Sequence, residues 1–139
     1  MGVILDSSVL VAFERRRFDL ERLLSDHSPP AIAAVTAAEL LIGVERADSP
    51  DRRMRRESFV QSLLSRVPLV PFDLTQARLF AIHFADQTRR GQMIGDRDLQ
   101  IAATALSMDY ELATLNTGEF QRVTGLRLVG ITGYALPRG

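Results

Sequence analysis

The sequence predicts an α/β protein in which helices flank a central, mostly parallel sheet. Short apolar runs of strand length alternate along the chain with longer segments whose apolar residues recur at helical spacing. Such alternation favours a parallel sheet, because each helix carries the chain back to the start of the next strand. The 139 residues, 46% of them hydrophobic, predict one domain over residues 1–139 with a sizeable core.

The first half of the chain predicts two strands and four helices. The strands are residues 2–6 and 31–35, and the helices are residues 8–15, 18–26, 36–47 and 50–66. The first strand is apolar until it ends on Asp6, and Ser7 or Ser8 is the predicted N-cap of the helix that follows. Thr36 and Glu39 match a capping box, which predicts that the third helix begins at Thr36.

The second half predicts two further helices and the remaining extended segments. In order, these are an extended piece over 67–72, a helix over 74–90, a loop over 91–95, a helix over 97–108, a strand over 111–115, a loop over 116–125 and a last strand over 126–130. Asp73 and Asp96 are the predicted N-caps of the two helices.

The composition excludes several classes of chemistry. The chain has no cysteine, which excludes disulfides, thiolate metal sites and cysteine nucleophiles, and which suits a reducing compartment. All 17 basic residues are arginines, so a Schiff-base or P-loop lysine is excluded, and 17 acidic residues bring the net charge to zero. No apolar run approaches the roughly 20 residues of a membrane span, and the start lacks a signal-peptide pattern. We therefore expect a cytoplasmic protein that has no membrane partner.

Acidic and amide residues follow the predicted strands, where a parallel sheet would gather them along one edge. These residues are Asp6, Glu39, Asp96, Asp98, Asn116 and Glu119. Ligands of open α/β sheets bind at the carboxyl ends of the strands. Converging carboxylates repel each other unless a cation compensates their charge. Because the chain has no cysteine and no histidine pair at metal spacing, that cation would be oxygen-ligated, as Mg²⁺ or Mn²⁺ is.

Most of these residues also have a purely structural interpretation. Glu39 would close the capping box of its helix, and Asp96 would be the N-cap of a later one. Asn116 would cap a short helix, with Glu119 as its capping partner. Asp6 is the exception, because an acid at the end of a buried strand sacrifices apolar burial and aspartate is depleted in strands.

Several arginines flank the acidic positions and indicate how a phosphodiester substrate would approach. Arg15 closes the helix that follows Asp6, and Arg97 lies between two of the acids. Guanidinium groups bind phosphate oxygens bidentately, although solvated helix faces carry such arginines as well. Arg15, Arg97 and the Ser7 hydroxyl are therefore the predicted substrate contacts.

Four stretches of the chain together resemble the PIN-domain ribonucleases, and among them the VapC-type toxins of bacterial toxin–antitoxin pairs. They are VILDSSVLVA, VTAAELLIGVERA, GDRDLQIAATAL and LATLNTGEFQRVTGL, in family order and at family-like spacing over nearly the whole chain. Each stretch alone is a short acidic and apolar pattern, so the specificity lies in the combination. The resemblance implies a PIN-like fold.

The resemblance also implies an activity, a site and partners. The first three family acids would fall on Asp6, Glu39 and Asp98, with Asp96 as a supporting acid. Members of the family are Mg²⁺-dependent endoribonucleases, for which Mn²⁺ is the expected substitute. Asp6 and Asp98 would hold the ion, and Glu39 would bind it directly or through water. The resemblance further implies a homodimer and a small antitoxin that places a basic side chain in the acidic pocket.

The fourth family acid would fall on Asn116, and here the sequence departs from the family. An amide oxygen can still orient a metal-bound water, and Glu119 offers a replacement charge. The neutral Asn116 also favours an alternative, a non-catalytic PIN-like module that binds RNA or a protein. A DNA nuclease with the same site is the enzymatic rival, because no residue here is assigned to the 2′-hydroxyl. A phosphotransfer receiver is disfavoured, since that fold needs a lysine at a strand end.

Overall fold

Four short strands form one parallel sheet in the computed structural model, which describes residues 1–137. The strands are β1 (Val3–Leu5), β2 (Pro30–Ala33), β3 (Leu69–Val70) and β4 (Glu111–Ala113), in the spatial order β3-β2-β1-β4. The predicted α/β class and the parallel sheet flanked by helices are confirmed. The predicted domain over residues 1–139 includes Arg138 and Gly139, which lie outside the described residues.

Seven α-helices surround the sheet within residues 1–137. They are α1 (Ser7–Glu14), α2 (Leu20–Asp26), α3 (Ala34–Glu45), α4 (Pro50–Arg66), α5 (Leu74–Arg90), α6 (Asp96–Met108) and α7 (Thr117–Phe120). A 3₁₀ turn over Thr132–Tyr134 follows them. None of the helices in this part of the chain is both long enough and apolar enough to span a bilayer.

The strand order reverses at β1, and this reversal fixes where a ligand would bind. From β1 the sheet extends through β2 to β3, whereas β4 pairs with the opposite side of β1. Every neighbouring pair is parallel, so all four strands end at one edge. Open sheets of this kind bind ligands outside that edge, at the point of reversal. Asp6 directly follows β1 and therefore lies at that point.

The alternating side chains of β1 divide the core into two layers. Val3 and Leu5 pack with residues of α1 to α4 on one face, and Ile4 packs with residues of α6 on the other. All three side chains are fully buried, as the two-residue period of a central strand requires. β1 is thus held between two apolar layers, and the residue that ends it has little freedom to move.

The third helix begins two residues before its predicted start, so the predicted capping box is wrong. α3 starts at Ala34, and its N-cap, Ala33, makes no side-chain capping hydrogen bond. Alanine has the highest helix propensity of all residues, which favours extension of the helix back over this segment. Thr36 consequently lies inside the first turn, where its buried hydroxyl has no hydrogen-bond partner in the described structure. Glu39 lies in the second turn and has no capping role.

Two other helix starts differ from the prediction by one residue. α1 begins at Ser7 and is capped by the Asp6 carboxylate, not by Ser7 or Ser8. α6 begins at Asp96 after Gly95, so the prediction that Asp96 is the N-cap is wrong. In both cases the residue just before the predicted cap is the actual N-cap, Asp6 for α1 and Gly95 for α6.

The last predicted strand, 126–130, is reduced to a single parallel bridge between Leu112 and Leu128. Two backbone hydrogen bonds of 2.9 Å support the bridge, from Leu112 to Arg127 and from Val129 to Leu112. The segment therefore lies beside β4 without adding a full strand to the sheet.

Replacement of Thr36 by valine tests where α3 begins. Valine is similar in volume and removes a buried hydroxyl that lacks a partner, so Thr36→Val is expected to raise the free energy of unfolding by about 1 kcal/mol. If Thr36 were the N-cap, the same change would lower that free energy by about 1 kcal/mol. Urea unfolding measures the sign, and Ser49→Ala, which removes the side-chain cap of α4, is the destabilising control.

Candidate active site

Asp6 is the buried centre of the candidate site. The residue is 6% exposed, and its carboxylate accepts three hydrogen bonds. Oδ1 accepts from the Ser7 backbone N–H at 2.8 Å, and Oδ2 accepts from the hydroxyls of Ser8 and Thr114, both at 2.7 Å. A buried carboxylate is tolerated only when such donors replace the lost water. They also fix its orientation at the edge of the sheet.

Thr114 is a site residue that sequence reasoning missed. It directly follows β4, is 1% exposed and links the ends of β1 and β4. Besides donating to Asp6, its hydroxyl accepts from the Asn116 backbone N–H at 3.0 Å. Ser8 makes a second link to the segment after β4, because its Oγ accepts a hydrogen bond from the Leu115 N–H at 3.0 Å. The sequence signal is only a hydroxyl residue inside a predicted strand, where threonine is common.

Glu39 reaches the site from the second turn of α3. Its Oε2 accepts from Ser7 Oγ at 3.1 Å and from Arg97 Nη1 at 3.3 Å. Its Oε1 is buried without a hydrogen-bond partner among residues 1–137. The pKa of Glu39 is raised, chiefly by burial and to a smaller extent by the Asp6 charge. The Ser7 hydrogen bond and Arg97 partly offset this rise. A buried carboxylate oxygen that lacks a partner is a position where a ligand is expected.

Asp98 reaches the same site from the first turn of α6. Its half-buried carboxyl group is in hydrogen-bonding contact with Glu119 of α7 and feels the charges of Asp6 and Glu39. Burial, followed by these three acids, raises the pKa of Asp98 to about 7. The site therefore concentrates more negative charge than the surrounding described residues compensate.

The other predicted site residues lie around this centre. Asp96 is exposed and is not among the charges that shift the pKa of Asp98. Asn116 is exposed at the N-cap of α7, but its side chain makes no capping hydrogen bond. Arg97 contacts the site through Glu39, whereas Arg15 lines a cleft next to it.

The residues of the site fit a divalent cation, although they do not form a finished metal site. Across residues 1–137, no three acidic or histidine side chains already converge as a metal-binding group. The available donors are all oxygens, which a hard cation such as Mg²⁺ prefers. A cation would satisfy Glu39 Oε1, which lacks a partner among residues 1–137, and would favour ionisation of the Asp98 carboxyl, whose pKa is raised to about 7.

Comparison with known proteins identifies relatives over almost the full chain. A family model described as "PIN domain" matches residues 3–126. A protein named ribonuclease VapC1, from Rickettsia felis, is 31% identical over 132 residues, which cover 95% of this chain and 98% of the relative. A protein named tRNA(fMet)-specific endonuclease VapC, from Shigella flexneri, is 32% identical over 113 residues, which cover 81% of this chain and 80% of the relative.

Several solved structures with the same architecture are VapBC complexes, and one of them is described as a member of the VapBC family of toxin–antitoxin systems. A chain of VapBC2 from Rickettsia felis, bound to a DNA fragment from its promoter, has a TM-score of 0.82 at 26% identity. That alignment covers 93% of this chain and 98% of the other. A chain of VapBC-1 from nontypeable Haemophilus influenzae has a TM-score of 0.80 at 25% identity, with coverage of 93% and 97%.

The raised pKa of Asp98, caused by burial and then by the neighbouring acids, predicts how the stability of the metal-free protein depends on pH. The pKa of Asp98 is higher in the folded protein than in the unfolded chain, so the folded state binds the extra proton. Its contribution is therefore favourable below pH 4 and is lost as the pH rises towards 7. Since Asp98 is only half-buried and solvent screens the repulsion, we expect a loss of about 1 kcal/mol.

Urea unfolding in EDTA between pH 4 and pH 8 measures this effect. Relative to the wild-type protein, Asp98→Asn is expected to gain stability as the pH rises, because the asparagine does not ionise. Asp109→Asn is the matched control, since Asp109 is an exposed aspartate in the left-handed conformation, which asparagine also adopts. Parallel stability profiles of the wild-type protein and Asp98→Asn over this pH range would contradict the raised pKa of Asp98 in the folded protein.

Proposed function

The chain belongs to the PIN domain family, among the VapC ribonucleases, and we propose on this basis that it is a divalent-metal-dependent endoribonuclease. The proposed reaction is hydrolysis of an RNA phosphodiester bond at the sheet edge next to Asp6. The observation that carries this proposal is the uncompensated negative charge of the site. Glu39 Oε1 is buried without a partner among residues 1–137, and burial and the neighbouring acids raise the pKa of Asp98 to about 7.

In this proposal the three central acids hold the ion. Asp6 and Asp98 are ligands of Mg²⁺, for which Mn²⁺ substitutes, and Glu39 binds directly or through water. When bound, the ion lowers the pKa of a water molecule and stabilises negative charge on the phosphoryl oxygens. Asp96 and Asn116, which are both exposed, are assigned to the periphery, and Glu119 supplies the fourth carboxyl group.

The side chains around the three acids orient them before substrate binds. Ser8 and Thr114 hold Asp6 Oδ2, which fixes the direction of its carboxylate. Ser7 and Arg97 hold Glu39 Oε2 and leave Oε1 available. Asp98, whose pKa is raised to about 7, would bind the ion in its ionised form beside Glu119.

Arg97 and Ser7 are the proposed substrate contacts at the reacting phosphate. The Arg97 side chain is 61% exposed, so its guanidinium group is accessible to a phosphate while it remains beside Glu39. The Ser7 hydroxyl donates to the same carboxylate and lines a small hollow there. Both groups would compensate charge on the phosphoryl oxygens as the bond breaks.

We also propose that the protein is the toxin of a VapBC-type pair and acts in the cytoplasm, where its RNA substrate is found. Solved relatives are complexes named VapBC, which supports an antitoxin partner. An apolar groove of about 270 Å³ between α1, α2 and α4 offers a docking surface, lined by Phe13, Leu24 and Leu63 among others. Exposed apolar residues of α5, including Leu74 and Ile82, support the proposed homodimer.

A non-catalytic RNA-binding module is the second candidate. Asn116, a neutral residue where the family has an acid, is the observation that favours it. Such a module would bind RNA without cleaving it, whether or not a divalent ion is present. A cleavage assay therefore separates the two candidates.

Removal of one central carboxylate is expected to abolish cleavage. We expect Asp98→Asn to reduce the rate of RNA cleavage in Mg²⁺ by at least about 100-fold, because the amide cannot replace a charged ligand. Addition of EDTA to the wild-type protein is expected to have the same effect. The assay follows a labelled RNA by gel, with a DNA strand of the same sequence to test the alternative nuclease activity.

Asp109→Asn again provides the control, since it makes the same chemical change outside the site and is expected to cleave at the wild-type rate. Circular dichroism of each variant shows whether it is folded. Cleavage by folded Asp98→Asn at the wild-type rate, or cleavage that persists in EDTA, would refute the proposed mechanism.

A further inference from the structure

An arginine-lined cleft lies next to the acidic site, between the ends of three helices. It has a volume of about 670 Å³ and is formed by the C-terminal ends of α1 and α3 and the first half of α4. Its basic lining residues are Arg15, Arg16, Arg46, Arg52, Arg55 and Arg56. Arginines so concentrated on one surface create a strongly positive potential, even in a chain whose net charge is zero.

The arginine cleft is continuous with the acidic site. A smaller hollow of about 120 Å³ contains Ser7 and Glu39, and it shares Glu14, Arg56 and Phe59 with the cleft. Arg56 lies across Gly43 of α3, because a Cβ atom there would come within 3.3 Å of Arg56 Nη1. The absence of a side chain at Gly43 thus leaves room for an arginine between the acids and the cleft.

Most of the positive charge in the cleft is not compensated. Arg52 forms an ion pair with Asp48 at 3.0 Å, and Arg56 lies 3.9 Å from Glu14. The other four cleft arginines are exposed to solvent and form no salt bridge within residues 1–137. They are Arg15, Arg16, Arg46 and Arg55. The cleft is therefore complementary to an anionic ligand.

Arg16 occupies a backbone position that glycine would suit better. Its φ is +58°, in the left-handed region. The Arg16 N–H bonds to the Phe13 carbonyl at 2.9 Å, and the Arg17 N–H bonds to the Ala12 carbonyl at 2.8 Å. This is the helix ending in which glycine usually takes the left-handed residue. Arginine at this position carries a backbone cost that glycine would avoid, and its side chain lines the cleft.

We propose that the arginine cleft binds the phosphates of the RNA strand that flank the scissile bond. The strand would lie from Glu39 past Arg56 and across the ends of α1 and α4. This inference rests on the proposed function, because it takes the scissile phosphate to lie at the acidic site. Contacts to successive phosphates hold a strand in register without reading its sequence.

The lining of the cleft favours RNA over an acidic protein segment. Only Ala47 and Phe59 among the lining residues are apolar, so a peptide would find few places to anchor its side chains. An RNA strand needs no such anchors, because its phosphates form a continuous row of charges that the arginines bind. The cleft also leads to the acids at which the substrate phosphate is proposed to react.

Single substitutions in the cleft test the proposal. The dissociation constant of a short single-stranded RNA is measured in EDTA at several salt concentrations, for the wild-type protein, Arg46→Gln, Arg55→Gln and Arg78→Gln. Arg78 is the matched control, since it is exposed on α5 and does not line the cleft. We expect each cleft variant to bind about fivefold to tenfold more weakly and to lose about 0.7 from the salt slope, whereas Arg78→Gln binds like the wild-type protein.

Unchanged RNA affinity in both cleft variants would overturn the proposal. If the same variants also lost affinity for a polyglutamate peptide, the cleft would be assigned to an acidic protein segment. Cleavage in Mg²⁺ is measured separately. An inactive wild-type protein would refute the proposed function, and the binding data would still decide the role of the cleft.

Arg16→Gly separates a binding role from a structural one. Glycine suits the left-handed position, so this variant is expected to unfold at a higher urea concentration than the wild-type protein. It is also expected to bind RNA about fivefold more weakly, with a raised KM and little change in kcat. A gain in stability without loss of RNA affinity would exclude Arg16 from the cleft contacts.

Discussion

The burial of the Asp6 carboxylate at the end of β1 is the constraint on which the site depends. The charge is tolerated because a backbone N–H and two hydroxyls solvate it. The same three hydrogen bonds begin α1 and join the end of β1 to that of β4. The fold thus supplies donors for Asp6, while burial, followed by the neighbouring acids, raises the pKa of Asp98.

The sequence predicted the sheet and the order of the helices, because these depend on patterns repeated over many residues. The family resemblance predicted Glu39 as a site acid, whereas the local pattern wrongly predicted that it closes a capping box. The T-x-x-E pattern indicates a capping box, but the alanines before Thr36 extend α3 backwards and carry Glu39 into the second turn. One turn of helix decides whether that carboxylate caps its own helix or faces Asp6.

Thr114 and the arginine cleft could not be read from the sequence for a different reason. Thr114 donates to an acid 108 residues away, and a threonine at the end of a strand has no local pattern that indicates this contact. The cleft arginines lie just past the ends of α1 and α3 and on α4, and each looks like part of a solvated surface until the fold brings them together. Arg16 differs only in its left-handed backbone, which the structure reveals.

We infer that the acids at the sheet edge bind one cation, which balances their negative charge. Calorimetric titration of Mn²⁺ into the protein near pH 7, in two buffers with different heats of ionisation, tests it most directly. We predict saturable binding of the ion with net release of protons, because the Asp98 carboxyl, whose pKa is raised to about 7, is partly protonated at this pH and binds the ion in its ionised form. Absence of binding, or binding without proton release, would contradict the account.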